Sequence, residues 1–191
     1  MVLVLCLGDL HVPYRAIDLP AKFKALLVPG KIHHVLCPGN LCTKETLDYL
    51  RTVCTDVRVT KGDFDDNPRF PEDEVLKIGD FRVGVCHGHQ VVPWGDMEAL
   101  AILQRKLDVD ILVTGHTHEF KACKYQDRFM INPGSATGAF SNLARDVKPS
   151  FVLMDIDGAK ATVYVYELNN DDDDVKVDKV EFQLTKDAEA L

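Results

Sequence analysis

Short β-branched apolar runs alternate with helical patterns in the first third of the chain. The alternation predicts strands over residues 2–7, 33–37 and 56–59 and helices over residues 20–28 and 43–53. Strands that alternate with helices are typical of a sheet joined by crossover helices. The first third therefore predicts an α/β fold.

The second of these helices carries its own start signal. Thr43 is a suitable N-cap, because its hydroxyl can accept a hydrogen bond from an unpaired N–H of the first turn. Leu47, Leu50 and Val53 then fall on one face of the helix. We expect this face to pack against the sheet.

From residue 74 onward the pattern is dominated by strands. Residues 76–78 and 81–86 predict a hairpin that turns at Gly79 and Asp80, followed by a helix over residues 97–107. Further strands are predicted over residues 111–114, 120–125, 129–132, 150–156, 162–168 and 175–184. The expected fold is α/β, a two-sheet β sandwich flanked by helices. We expect one domain over residues 1–184, followed by a polar and disordered tail over residues 185–191.

The charge balance argues against a nucleic-acid partner. Lys plus Arg number 22 and Asp plus Glu number 30, so the net charge is −8 and a basic nucleic-acid-binding stripe is not expected. The apolar run 1–7 has no basic residues before it and predicts a strand, not a signal peptide or a membrane insertion. The apolar run therefore predicts a cytoplasmic protein. The acidic stretch 169–174 predicts a solvated hairpin loop in preference to a calcium site.

The six cysteines show no C-x-x-C spacing and lie mostly in apolar stretches. In a reducing compartment we expect them to be small buried hydrophobic residues without disulfide bonds.

Histidines carry the clearest chemical signal. Five of the seven lie in three short motifs, 9–11, 87–89 and 115–118, each directly after a predicted strand. Two more strand ends carry Gly39-Asn40 and Gly62-Asp63. Carboxylate and imidazole ligands suit a borderline divalent metal, and the carboxyl ends of strands collect ligands from distant parts of a chain. We regard His33, His34 and His89 as outside the ligand set.

The ordered motifs D-x-H, G-N, G-D, H-G-H and G-H-x-H resemble those of the calcineurin-like metallophosphoesterase family. The resemblance implies a two-sheet sandwich in which two divalent ions, bridged by an aspartate, activate water for attack on phosphorus. It assigns seven residues to the metals: Asp9, His11 and His118 to one, Asp63, His87 and His116 to the other, and Asn40 between them.

This chain departs from the family pattern at three of its positions. Asn40 replaces the bridging aspartate, Asp63 replaces an asparagine, and Phe64 stands where active relatives carry a polar residue. A neutral amide bridges two cations poorly, and phenylalanine cannot donate a proton. We therefore expect zinc or manganese to bind weakly or not at all, and we expect no enzyme activity.

Longer stretches narrow the resemblance to the branch that supplies the smallest subunit of the retromer coat. They cover residues 8–11, 20–24, 41–45, 87–97, 115–118, 132–138 and 149–156. The resemblance implies a non-catalytic scaffold on the cytosolic face of endosomal membranes. The partners that it implies are the helical solenoid of the large retromer subunit, the retromer core assembly and regulatory proteins.

Two apolar faces are candidates for protein binding. Val91, Val92, Pro93 and Trp94 follow the second histidine motif directly, and they are either an exposed docking loop or a buried plug. Strand alternation points Tyr164 and Tyr166 to one side and the intervening valines to the other. Leu153 of the preceding strand either joins the tyrosines or lies in the core.

The alternative function is a divalent-metal-dependent phosphodiesterase that acts on small diesters. The departures at Asn40, Asp63 and Phe64 favour the scaffold, and an aryl phosphodiester assay with added divalent metal would separate the two functions.

Overall fold

The computed structural model describes residues 1–169 and 174–184, and two sheets pack face to face in it. In chain order the elements are β1 Val2–Cys6, α1 Ala21–Leu26, β2 His34–Cys37, α2 Lys44–Val53, β3 Val57–Val59, β4 Asp73–Ile78, β5 Phe81–Cys86, α3 Met97–Leu107, β6 Ile111–Val113, β7 Phe120–Tyr125, β8 Arg128–Pro133, β9 Ser150–Asp157, β10 Lys160–Asn169 and β11 Asp174–Gln183. The predicted α/β sandwich is confirmed, since every predicted element is present within a few residues of its expected ends.

Both sheets are mixed. The six-stranded sheet has the order β11-β10-β9-β1-β2-β3, with β1, β2 and β3 parallel and the other pairs antiparallel. The five-stranded sheet has the order β4-β5-β6-β8-β7, with β5, β6 and β8 parallel. The strands β1, β2, β3, β5 and β6 end in the loops that carry the histidine, aspartate and asparagine motifs.

Strand alternation builds the core between the sheets. Val163 and Val165 of β10 are buried there together with Val4, Val85 and Phe129. Tyr164 and Tyr166 point to the outer face, as the alternation predicts. Each Å² of apolar surface buried in this layer stabilises the fold by about 25 cal/mol.

Helices cover the outer faces. Phe23 of α1 and Leu50 of α2 pack on the six-stranded sheet, and Leu100 of α3 packs on the five-stranded one. The Thr43 side chain accepts a hydrogen bond from Thr46 N, so the predicted N-cap is confirmed. Asp96 caps α3 in the same way through Ala99 N.

The cysteines are unpaired, as their spacing predicts. All six cysteines are free, and four of them are buried. The tip of the acidic stretch, residues 170–173, and the tail, residues 185–191, lie outside the described residues. Within the described ranges, no helix is long and apolar enough to span a membrane.

Candidate metal centre

Loops at the carboxyl ends of five strands meet at one edge of the sandwich. Two groups of side chains result, Asp9, His11 and His118 in one and Asp63, His87 and His116 in the other. Within each group the potential ligand atoms all lie within 4.8 Å of one another. The structure thus brings together six residues that are spread over 110 positions of the chain.

Asn40 lies between the two groups. Its amide nitrogen Nδ2 is 3.1 Å from Asp9 Oδ1, 3.2 Å from His11 Nε2, 3.0 Å from Asp63 Oδ1 and 3.1 Å from His87 Nε2. The amide oxygen Oδ1 faces away and accepts a hydrogen bond from Phe64 N at 2.9 Å. The side chain therefore presents a donor to the space between the groups.

An amide nitrogen has two hydrogens and can satisfy two of these four neighbours. The other two neighbours receive no hydrogen from the amide, and the ring nitrogens His11 Nε2 and His118 Nε2 also approach each other to 3.2 Å. A divalent cation would resolve the crowding of the acceptor atoms, because it attracts carboxylate oxygens and unprotonated imidazole nitrogens.

Hydrogen bonds to the backbone fix two of the histidine rings. His87 Nδ1 donates to Pro38 O at 2.7 Å, and His118 Nδ1 donates to Ala139 O at 2.6 Å. Each bond places the proton on Nδ1 and leaves Nε2 to face the cluster when the ring is neutral. His11 Nδ1 is buried without a hydrogen-bond partner in the described structure.

The loop backbone is held in an uncommon conformation at the site. Among residues 1–169 and 174–184, nine non-glycine residues have positive φ, and five of them are proposed ligands: Asp9, His11, Asn40, His116 and His118. Left-handed backbone costs such residues free energy and clusters at functional sites. Gly62 permits this packing, because a Cβ there would clash with Asn40 Oδ1.

Asp65 holds two of these loops together, a role that the sequence reasoning missed. Its buried carboxylate accepts hydrogen bonds from the backbone N–H groups of Asn40 (2.6 Å), Gly62 (2.9 Å) and Cys42 (2.9 Å). The feature of the sequence that could have identified Asp65 is its position two residues after Asp63 in the same loop. Asp65 thereby fixes Asn40 relative to Asp63.

The ionisable groups are strongly coupled. Burial alone would raise the pKa of Asp9, but the charges of His87 and His118 lower it to about 2. The pKa of Asp63 is also lowered, because burial is outweighed by the combined hydrogen bonds from His87 and Asn40 and the charges of His87 and His116. Conversely, the carboxylates of Asp9 and Asp63 and the hydrogen bond to Pro38 O together raise the pKa of His87 against burial. Asp9 and Asp63 are therefore anionic at neutral pH.

His11 and His116 favour the neutral imidazole. Burial lowers the pKa of His11 to about 4, and burial together with the charge of His87 lowers the pKa of His116. Two carboxylates and neutral imidazoles form the donor set that zinc and manganese accept. The residues therefore fit a divalent metal, with Asn40 as the one neighbour that presents hydrogens.

Exposed apolar side chains surround the opening of this site. Val92 is 74% exposed, Phe64 45% and Trp94 44%, and Pro93 is exposed as well. Val91 differs, since it is half-buried and packs against the core beneath α3. The loop 91–94 is consequently not a buried plug.

The second candidate face lies on the outer side of the six-stranded sheet. Tyr164 is paired directly with Leu153, and the Tyr166 ring stacks on Phe151 with 4.7 Å between the ring centroids. Leu153, Tyr164 and Tyr166 are all half-buried. The side chains form one apolar surface on the outer face of the sheet.

The sandwich and its paired ligand groups are typical of the calcineurin-like phosphoesterase superfamily. The model of the calcineurin-like phosphoesterase superfamily domain matches residues 2–159. The resemblance inferred from the histidine and aspartate motifs is confirmed.

More specific relatives place the chain within that superfamily. It is 45% identical over 186 residues to vacuolar protein sorting-associated protein 29 (Vps29) of Schizosaccharomyces pombe, covering 95% of this chain and 98% of that protein. The crystal structure of Chaetomium thermophilum Vps29 is 41% identical with a TM-score of 0.92, covering 97% and 100% of the two chains. Wild-type Vps29 of Entamoeba histolytica complexed with Zn²⁺ is 51% identical with a TM-score of 0.89, covering 94% and 99%. The chain therefore belongs to the Vps29 family.

Proposed function

We propose that the chain is a non-catalytic scaffold subunit of the retromer cargo-sorting coat. The observation that carries this proposal is the Asn40 amide, whose nitrogen faces both ligand groups at the point where catalysis needs an anionic bridge. Phe64 beside it is an apolar side chain at the opening of the site. The centre is thus suited to structure and docking more than to hydrolysis.

A metal would be held by Asp9, His11 and His118 on one side and by Asp63, His87 and His116 on the other. Bound divalent ions would supply Lewis-acid activation of a phosphoryl oxygen and of water. Asn40 contributes no negative charge to this site, and Phe64 has no proton to give a leaving group. Zinc is supported by the Entamoeba relative, and the same donor set accepts manganese.

The large retromer subunit would dock through its helical solenoid on the metal face. Val92 is 74% exposed in the loop 91–94 and can insert into a groove between helices. Regulatory proteins would bind Leu153, Tyr164 and Tyr166 on the other face. The protein would act in endosome-to-Golgi or recycling transport, on the cytosolic face of endosomal membranes.

Calorimetric titration into the large retromer subunit of the same organism tests the docking face. Val92→Asp should abolish binding, because a carboxylate would have to be desolvated in an apolar groove. Val177→Asp is the matched control, since this exposed valine lies on β11 away from the metal face. His118→Ala should leave binding intact. Normal binding by Val92→Asp would refute the docking face.

A metal-dependent phosphodiesterase is the second candidate, because all six carboxylate and imidazole ligands are present and grouped. An aryl phosphodiester assay with added zinc or manganese separates the two functions. Turnover that is lost in Asp9→Ala would establish the enzyme and overturn the non-catalytic proposal.

A further inference from the structure

One cation at the metal face has no acidic partner within the described part of the chain. Arg15 follows the His11 motif and is half-buried. Its guanidinium carbon lies 4.4 Å from the centre of the Phe64 ring and 5.0 Å from that of Phe140. The Nη1 atom donates to Phe140 O at 2.9 Å. Cation–π contacts and one hydrogen bond thus hold this group at a fixed place.

The remaining N–H donors of Arg15 make no hydrogen bond to another described residue. A guanidinium has five N–H groups, and among the described residues Arg15 makes one hydrogen bond and no ion pair. Arg58 shows the contrast, since it bonds both Asp56 and Glu74. A half-buried arginine without a carboxylate, in a chain with net charge −8, has capacity for an anion from outside.

Arg15 stands next to the metal centre. The Phe64 ring that it covers contacts the His11 ring edge-on, with 5.1 Å between the ring centroids. Arg15 also lines the same cavity as Asn40 and Asp63. An anion on this guanidinium would therefore lie at the opening of the metal centre.

The surroundings favour a protein ligand over a free small anion. Exposed apolar side chains flank Arg15 or line the cavity that it opens into: Phe64, Trp94, Phe140 and Leu143. Arginine and aromatic residues enclosed by an apolar surface are typical of the energetic centre of protein interfaces. A lone phosphate would leave this apolar surface uncovered.

We propose that Arg15 anchors a carboxylate side chain, aspartate or glutamate, of the protein that docks on the metal face. The inference rests on the proposed scaffold function and specifies its partner: an apolar segment that carries one acidic residue. The planar guanidinium can bind both carboxylate oxygens, and the two rings limit the entropy that it loses on binding.

The first test is titration of the full chain into the large retromer subunit, with a chelator present to remove any metal contribution. Arg15→Gln should raise Kd at least tenfold, and Arg15→Lys should lie in between because it keeps the charge and loses the planar fork. Arg145→Gln, an exposed arginine of the neighbouring loop, is the control and should bind within twofold of wild type. Equal binding of Arg15→Gln and wild type would overturn the proposal while leaving the scaffold function intact.

A second test does not depend on that partner. Trp94 is the only tryptophan of the chain and lines the cavity that Arg15 lines, so its fluorescence reports on the site. Titration with glutarate, against sodium chloride of equal ionic strength, should give a saturable change in wild type and in Arg145→Gln that Arg15→Gln loses. No saturable change in wild type would overturn the anion site. A response to inorganic phosphate and not to glutarate would overturn the carboxylate assignment. If glutarate binds but the large subunit does not, the scaffold function fails and the anion site stands.

Discussion

At the scale of single residues, the chemistry of the site depends on which atoms Asn40 presents. Its Oδ1 is used by Phe64 N, so Nδ2 and its hydrogens occupy the position between the two ligand groups. A carboxylate of the same shape would present an anionic oxygen there.

Asn40→Asp should therefore raise the affinity for zinc or manganese at least tenfold, measured by calorimetry. Asn142→Asp is the control, since it adds one negative charge to the lining of the same cavity without standing between the groups. Phosphodiester turnover should appear only when Phe64→His is added. Equal affinities in the two variants would show that the amide is no obstacle to metal.

Asp65 provides a second prediction at this scale. Asp65→Asn should lower metal affinity about tenfold and reduce the unfolding free energy by about 1–3 kcal/mol, because a buried acceptor of three backbone N–H groups is partly replaced by a donor. Asp66→Asn, its exposed neighbour, should change neither quantity. Denaturation in chelator and metal calorimetry together check this. A loss of stability with unchanged metal affinity would leave Asp65 a purely structural residue.

At the scale of elements, α3 and its N-cap position the docking loop. Asp96 Oδ1 accepts a hydrogen bond from Ala99 N at 2.8 Å, one residue after Gly95 ends the loop. The helix therefore begins where the proposed interface stops.

Asp96→Ala should reduce the unfolding free energy by about 1 kcal/mol, because a first-turn N–H loses its acceptor. Glu98→Ala, which removes an exposed carboxylate from the same turn, should cost no more than a few tenths of a kcal/mol. Urea denaturation measures both. A cost for Glu98→Ala equal to that for Asp96→Ala would attribute the effect to charge and not to capping.

The elements were the most predictable feature of this chain. α2 was expected over residues 43–53 and spans Lys44–Val53, because cap and apolar periodicity are local signals. β4 begins at Asp73, before the predicted residue 76. Its first residues are held by pairing with β5 and not by their own apolar pattern, so the local sequence understates the strand.

At the scale of the whole molecule, the coupled histidines make stability depend on pH. Burial lowers the pKa of His11 to about 4, whereas the unfolded side chain titrates near its ordinary value of 6.5. Between these values the unfolded state binds the proton and the native state does not, so stability falls as the pH falls. His89 and His116 act in the same direction, and His87, whose pKa is raised, opposes them.

The metal-free protein should accordingly lose about 1–3 kcal/mol of unfolding free energy between pH 7.5 and pH 5. Urea denaturation in chelator measures it. His11→Asn should flatten the dependence. A wild-type stability that is flat from pH 7.5 to pH 5 would contradict the assignment of His11 as a neutral buried group.

The sequence by itself determined the sandwich, the family and the six residues that gather at one edge, because strand periodicity is local and each ligand directly follows a strand end. Tertiary structure decided the rest. The orientation of the Asn40 amide depends on the hydrogen bond from Phe64 N, and the role of Asp65 depends on backbone N–H groups from two loops. The place of Arg15 depends on Phe140, which lies 125 positions away in the chain. Such contacts join atoms with no fixed spacing in sequence, so only the folded chain specifies them.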